Sequence, residues 1–438
     1  MKKLNLTWLL LFVTTFLLAQ TKADKIINAK EVERIERVLA ADEMKGRRIF
    51  SPELDKAADF IAAEFKAAGL ETCPPDWNKQ AGKNNGTYRQ EFSIITPKFK
   101  GLTCTFDQQP VDGKTVVVFT TTPSLTINEQ SGYEKVKLAA GLNLFTEAQK
   151  YIRSGKNQLV LVDTSYSKNF GRLAGLKRGM FLMENNVVFV LTANDPSTYN
   201  IEAQHEIVEQ KLANVVAVLP GKSKKNEYVI FSGHYDHIGI GKPVNGDSIF
   251  NGANDDAAGT TAVMMLAKYY KALNNNERTI IFAAFTAEES GGYGAQYFSR
   301  QFNPAQVVAM FNIEMIGTES KWGKNSAYIT GYEKTDMGAI MQKNLEGTGF
   351  HFYPDPYTDQ NLFYRSDNAT LARLGVPAHT ISTSKMDNEP NYHKVSDEVE
   401  TLDLDNMTMI IKSIAISARS IIAAVSYTHL TLPTNREV

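Results

Sequence analysis

Residues 228–289 read YVIFSGHYDHIGIGKPVNGDSIFNGANDDAAGTTAVMMLAKYYKALNNNERTIIFAAFTAEE. Tyr228–Ser232 and Arg278–Thr286 are short apolar runs bounded by turn and charged residues, the pattern of strands buried on both faces. Between them, Gly259–Leu273 places Ala262, Met265, Leu266 and Tyr269 on one face of a helix. Further along, Val307–Ile313 and Pro377–Ser382 read as strands, Gly292–Phe302 as a short helix and Leu404–Ala424 as a final amphipathic helix. This alternation predicts an α/β fold: a mixed, mostly parallel sheet flanked by helices.

Upstream, Val32, Ile35, Val38 and Leu39 predict a helix over Ala29–Ala40. Ser51-Pro52 opens a second, with Ala57, Phe60, Ile61 and Phe65 inward and Gly69 as its C-cap. Residues 73–100 read as loop. Residues 97–210 show strands at Thr115–Thr120, Gln158–Asp163 and Val187–Thr192 but no ligand-like cluster, so they are expected to be an inserted segment or small domain. The main core is then divided between 24–96 and 211–424.

The chain has 438 residues, 43% hydrophobic and 22% charged, enough apolar content for a substantial core. A net charge of −1 with no long single-sign run gives no footprint for nucleic acid. Lys2 and Lys3 precede the 16-residue apolar run LNLTWLLLFVTTFLLA (4–19), the layout of a cleavable secretory signal over 1–19. The other reading is an uncleaved anchor, but a spanning helix needs about 20 residues. Periplasmic or secreted location is therefore expected, with no membrane contact after cleavage. Cleavage takes the net charge from −1 to −3, and export would permit a Cys73–Cys104 disulfide, with two buried thiols as the equal alternative. The tail 425–438 does not continue the last helix, resembles translated adapter sequence, and is left out of the fold argument together with His429.

Sites in open parallel sheets form beyond the carboxyl ends of the strands. Beyond YVIFS stand His234, Asp236 and His237; beyond IIFAAFT, Glu288 and Glu289; beyond VVAMFNI, Glu314. The loop carrying Asp255 and Asp256 leads straight into a helix, and Tyr392-His393 lies near the end. Carboxylates and imidazoles clustered at strand ends point to a pair of divalent ions activating water. His234, Asp255, Glu289, Glu314 and His393 supply five ligands, and Glu288 a carboxylate free to act as general base. Asp236 is placed to hold the second ring nitrogen of His234. Mixed nitrogen and oxygen ligation suits zinc, with manganese and cobalt as further options. His237 reads as structural or at the rim, Asp256 as a carboxylate at the N-terminus of the following helix. His205-Glu206-Ile207-Val208-Glu209 lacks the second histidine of HExxH and reads as a surface charge pattern. His351 and His379 read as structural.

GHYDHIG, NGANDDAAG, AFTAEESG, NIEMIG and YHKVSDEVETLD, taken in order, resemble the M28 family of zinc peptidases, and the similarity reaches back to 39–69. The resemblance implies a phosphorylase/hydrolase-like fold of the zinc-peptidase type and two Zn2+ per chain. It implies Asp255 as bridge, His234 and Glu314 completing one metal, Glu289 and His393 the other, and Glu288 as base. Tyr392 matches a residue that helps polarise the scissile carbonyl in some relatives. The implied substrates are peptides with a free N-terminus. Two positions depart from the pattern: Glu314 stands where Asp is usual, and Ser366-Asp367-Asn368 where Ser-Asp-His is frequent. Residues 97–210 match a protease-associated insert poorly. A single-zinc glutaminyl cyclase and a non-catalytic binding module are the competing readings; retention of five ligands and a base speaks against both.

Overall fold

The computed structural model describes residues 25–74, 77, 86–177 and 179–431. The secretory signal expected over 1–19 lies outside the described residues, as does 432–438 of the tail. The chain forms two compact units, residues 1–92 with 212–438, and residues 93–211.

In the first unit, strands line up in the order His351–Pro354, Ser326–Ile329, Ala378–Ser382, Val307–Ile313, Lys224–His234, Arg278–Phe285 and the C-terminal part of Tyr199–Leu219. The pairs around Lys224–His234 are parallel, while Arg278–Phe285 against Val215–Leu219 and Ser326–Ile329 against Ala378–Ser382 are antiparallel. The sheet is thus mixed and mostly parallel. Successive side chains of a strand point to opposite faces. Phe231 stacks with Phe282, Phe311 and Tyr270 of helix Ala258–Leu273. Ile230, Ile281 and Met310 pack with Phe298, Phe302 and Trp77.

Local chemistry sets the element ends. Asn28 Oδ1 accepts the Glu31 N–H at 3.1 Å ahead of helix Ala29–Leu39, and Ser51 Oγ accepts Leu54 N–H at 3.2 Å ahead of Pro52–Ala67. Pro52 occupies the first turn, where its missing N–H costs nothing. The last amphipathic stretch divides at Ala418 into Leu404–Ser417 and Arg419–Ile422.

The second unit holds a four-stranded sheet ordered Val116–Phe119, Val187–Leu191, Gln158–Val162, Glu134–Leu138. Val118, Leu159, Leu161, Val188 and Val190 face one core; Val117, Phe119, Val160, Val162 and Phe189 face another, with Leu144 and Phe170.

Two expectations are corrected. Part of the 73–100 stretch is a strand, Arg89–Phe106, whose Phe92, Ile94 and Ile95 are buried. His205–Glu209 belongs to strand Tyr199–Leu219, with His205 buried and Glu206 exposed, so the stretch is half core rather than a surface pattern. Of the two readings for Cys73 and Cys104, the structure has the pair of buried thiols and not the disulfide. Residues 425–431 meet the body: Tyr427 lies under Arg278, and Thr431 donates to Lys334 O at 2.9 Å. Among the described residues, no helix is long and apolar enough to cross a membrane.

Candidate metal centre

Strand register brings the candidate residues together. His234 pairs with Phe285, Ser232 with Asn312, and Ile313 with Ile381. The adjoining parallel strands therefore stop at one edge, and Glu288 and Glu314 emerge just beyond it. The fourth component is the N-terminus of helix Ala258–Leu273. A Cβ at Gly259 would overlap Ile313 O and the Asp256 carboxylate, so only glycine lets the helix meet the strand ends this closely.

Asp255 is the centre. Its Oδ1 lies 3.2 Å from His234 Nε2 and its Oδ2 3.2 Å from His393 Nε2. Glu289 Oε2 is also 3.2 Å from His393 Nε2, while its Oε1 is 2.8 Å from His237 Nδ1. Two ligand-like groups result, His234/Asp255/Glu314 and His237/Asp255/Glu289, sharing Asp255. Glu288 lines a cavity of about 60 Å³ with Asp255, Glu314, Tyr392 and His393. The Tyr392 ring stacks on His393 with centres 3.9 Å apart.

Backbone and buried side chains hold this set in place. Asp397 accepts Asn254 N–H at 2.8 Å and Asp255 N–H at 3.0 Å. Asp256 accepts His234 N–H at 3.0 Å, Gly259 N–H at 3.0 Å and Met315 N–H at 3.1 Å, tying three of the four components together. Its saturation by N–H donors suits an anchor beside a helix N-terminus rather than a ligand. Arg47, fully buried, donates to Tyr235 O, Leu39 O, Asn251 O and Gly252 O at 2.6–2.9 Å, pinning the loops that flank His234 and Asp255.

Asp236 acts differently from the sequence expectation. His234 Nδ1 lies 3.1 Å from the Asp236 backbone oxygen but 3.8 Å from its carboxylate. The carbonyl holds the ring. The Asp236 carboxylate instead accepts the Glu288 N–H at 3.1 Å, positioning the neighbouring strand end. Burial raises its carboxyl to about 6.

The electrostatics are those of an acid-rich pocket short of positive charge. Burial pushes Glu288, Asp256 and Glu314 above the usual carboxylate range, and neighbouring carboxylates add to the shift. Burial alone would raise Glu289 too, but His237 and His393 hold it at about 2. Burial would lower His234; the Asp255 hydrogen bond and surrounding carboxylates hold it well above its ordinary value instead. Glu314 Oε2 is buried without any hydrogen-bond partner. An orphaned carboxylate oxygen beside two imidazoles and a shared aspartate is the donor set of a divalent cation.

All five expected ligands and Glu288 thus meet at one edge of the sheet. Of three further contributors, His237 was read otherwise in the sequence and Asp397 and Arg47 went unread. His237 sits in the Glu289/Asp255 contact rather than at a rim. Asp397 lies only four residues after His393, within YHKVSDEVETLD, whereas Arg47 lies far from the ligands along the chain, within 39–69. His379 is structural, with Nε2 2.7 Å from Thr335 Oγ1 and Nδ1 2.8 Å from Thr330 O. Asn368, in place of the frequent histidine, donates to Phe363 O and Ala378 O and serves the fold.

Residues 214–417 match the model of peptidase family M28. A "Probable leucine aminopeptidase" of Trichophyton verrucosum is 29% identical over 203 residues, 44% of this chain and 53% of that protein. "Leucine aminopeptidase 1" of Metarhizium robertsii is 24% identical over 266 residues, 58% and 65% of the two chains. The matched stretch thus spans between about half and two thirds of these curated relatives. Among solved structures, the aminopeptidase from Aneurinibacillus sp. strain AM-1 superposes with a TM-score of 0.52 at 17% identity, over 94% of this chain and 97% of that one. BSAP, a zinc aminopeptidase from Bacillus subtilis, gives 0.53 at 16%, with the same coverage. At these identities the likeness establishes a shared fold.

Proposed function

We infer that this protein, whose residues 214–417 match the model of peptidase family M28, is an exported di-zinc aminopeptidase releasing N-terminal residues from peptides. The observation that carries this reading is the single shared carboxylate, Asp255, standing between two ligand-like groups beside a carboxylate, Glu288, that belongs to neither. His234, Asp255 and Glu314 would hold one zinc; Asp255, Glu289 and His393 the other, with His237 in reach of the second set.

When bound, zinc supplies Lewis acidity toward the scissile carbonyl and lowers the pKa of water. The residues of the chain supply the rest. Glu288 accepts a proton from the attacking water at its carboxylate, as the water oxygen bonds to the carbonyl carbon. The C–N bond then breaks, and the same proton passes to the leaving amine. Burial holds Glu288 above the usual carboxylate range, which favours proton uptake. Tyr392, stacked on His393 at the cavity wall, would donate its hydroxyl hydrogen to the carbonyl oxygen. Burial raises that phenol further above its ordinary value, so it stays protonated as a donor. The carboxylates around Asp255 attract the free ammonium of a substrate, which accounts for a preference for unblocked N-termini.

The test is a panel of matched peptides, free, N-acetylated, and beginning with Gln, each with and without chelator, followed by mass spectrometry. The expected result is loss of single N-terminal residues from free peptides only, abolished by chelator and restored by zinc. Ammonia loss from the Gln peptide alone would reassign the protein to the cyclases. Unaltered peptides with metal bound would reassign it to a binding role.

A further inference from the structure

Two cavities meet at Glu288. The first, about 60 Å³, has apolar walls at Met315, Tyr328, Leu362 and Met386 besides the ligand-like residues. The second, about 400 Å³, runs past Gly291, Gly292, Gln296, Thr370 and Arg373. Glu288, Arg365, Ser366 and Tyr392 line both, so they form the partition between them. A peptide whose scissile carbonyl lies at Glu288 has to place one residue on each side. The N-terminal residue belongs in the small cavity, next to Asp255 and Glu314. The residue it is cut from then falls in the larger one.

The larger cavity has a charge pattern of its own. Four arginines elsewhere in the unit, Arg34, Arg37, Arg89 and Arg278, meet carboxylates at 2.7–2.9 Å. Arg365 instead donates to the neutral Gln360 amide at 3.4 Å, and the Arg373 guanidinium lies 5.4 Å from the Tyr364 ring centre. Both are exposed, and both line the cavity. Of the acidic groups on the same wall, Glu289 is engaged by His237 and His393, Glu288 stands at the partition, and Asp367 is buried. Two arginines with uncharged partners, facing a cavity that adjoins the scissile position, form a receptor for carboxylate.

Building on the aminopeptidase reading, we propose that Arg365 and Arg373 select peptides whose residue after the cleaved bond carries a carboxylate. A dipeptide offers its C-terminal carboxylate there, and a longer peptide an acidic side chain. Consecutive Cα atoms are about 3.8 Å apart. The terminal carboxylate of a dipeptide therefore stays close to the partition and meets Arg365. A glutamate side chain reaches deeper and meets Arg373. The substrates favoured are short peptides at the end of a degradation sequence, and peptides with an acidic second residue.

The test uses the zinc-loaded full chain with Leu-Gly against Leu-glycinamide, and Leu-Glu-amide against Leu-Gln-amide. The acid of each pair is expected to give a kcat/KM about tenfold above its neutral partner, carried in KM, as for a charge-assisted contact. Arg365→Gln should collapse the first ratio and Arg373→Gln the second, and rising salt should shrink both. Calorimetric binding of the same peptides to Glu288→Gln measures the discrimination without turnover. Equal handling of acid and amide by the wild type, or ratios that survive both substitutions, would overturn the proposal. Neutral peptides cleaved with no acid preference would leave the aminopeptidase reading standing and remove only this one. Acid preference in binding without any hydrolysis would do the reverse.

Discussion

The two sheets of this chain are built from the same material and finish differently. In residues 93–211, strands Glu134–Leu138, Gln158–Val162 and Val187–Leu191 run parallel, and the two inner ones, Gln158–Val162 and Val187–Leu191, have valine-rich faces buried on both sides. Where Gln158–Val162 stops, Asp163 follows, and its carboxylate accepts the Ser165 N–H at 2.9 Å. The local turn satisfies it, and the serine bonds hold it below the usual carboxylate range. In the other sheet, the strands around Lys224–His234 stop among Asp255, Glu288, Glu289 and Glu314, more buried acid than the nearby N–H groups satisfy. Glu314 Oε2 is left without a partner. Both sheets present the carboxyl ends of parallel strands, the place where sites form in such folds. Among the described residues, only the second has buried carboxylate oxygens there without a hydrogen-bond partner. That surplus, not the topology, marks the functional edge.

The largest expected effect comes from removing the surplus at its centre. Asp255→Ala takes away the carboxylate common to both ligand-like groups, so metal content should fall below two per chain and peptide hydrolysis should vanish. Elemental analysis after gel filtration measures the first, and the peptide panel the second. Full metal retention by this variant would mean that the centre lies elsewhere. Next in size, Glu288→Gln keeps every proposed ligand but removes the proton acceptor. Hydrolysis should drop by about 10²–10⁴-fold with metal content unchanged. Loss of metal along with activity would instead make Glu288 a ligand and erase its distinction from Glu289.

Much of this edge was legible because the chain is locally consistent there. Arg278–Phe285 and Val307–Ile313 are buried at nearly every position, so apolar runs marked them without any periodicity. The abrupt switch to Glu288-Glu289 and Glu314 then announced the strand ends. The strand Arg89–Phe106 was masked by the opposite cause. Its residues Lys98, Phe99 and Lys100 are exposed, and Pro97 and Gly101 read as turn signals. Third came contacts made across the fold. Nothing in the spacing of GHYDHIG says that His237 turns toward Glu289, or that His234 bonds the carbonyl of Asp236 rather than its carboxylate. Arg47 is the clearest instance. A basic residue in KGRR reads as surface, yet four backbone oxygens from three segments surround it. Burial of an arginine is a property of the partners it finds, and those lie 188 to 205 positions away for three of the four bonds.

The mildest perturbation for catalysis is aimed at the other sheet. Phe189 is fully buried at the middle of its strand, T-shaped against Phe119 with ring centres 5.6 Å apart and against Tyr151 at 6.2 Å. Truncation to alanine leaves a cavity that the flanking valines cannot fill, costing about 3–5 kcal/mol. None of its neighbours is a candidate ligand, and its unit holds none of the residues gathered around Asp255. Phe189→Ala should therefore lower the unfolding midpoint of residues 93–211 in denaturant, while metal content and kcat/KM for free peptides stay at wild-type values in buffer. Differential hydrogen exchange would locate the loosened segment, with protection lost across Val116–Phe119 and Gln158–Val162 and retained in Arg278–Phe285. A parallel loss of protection in both sheets would show that the two are cooperative, and that the surplus of charge at one edge is held in place by the packing of the other.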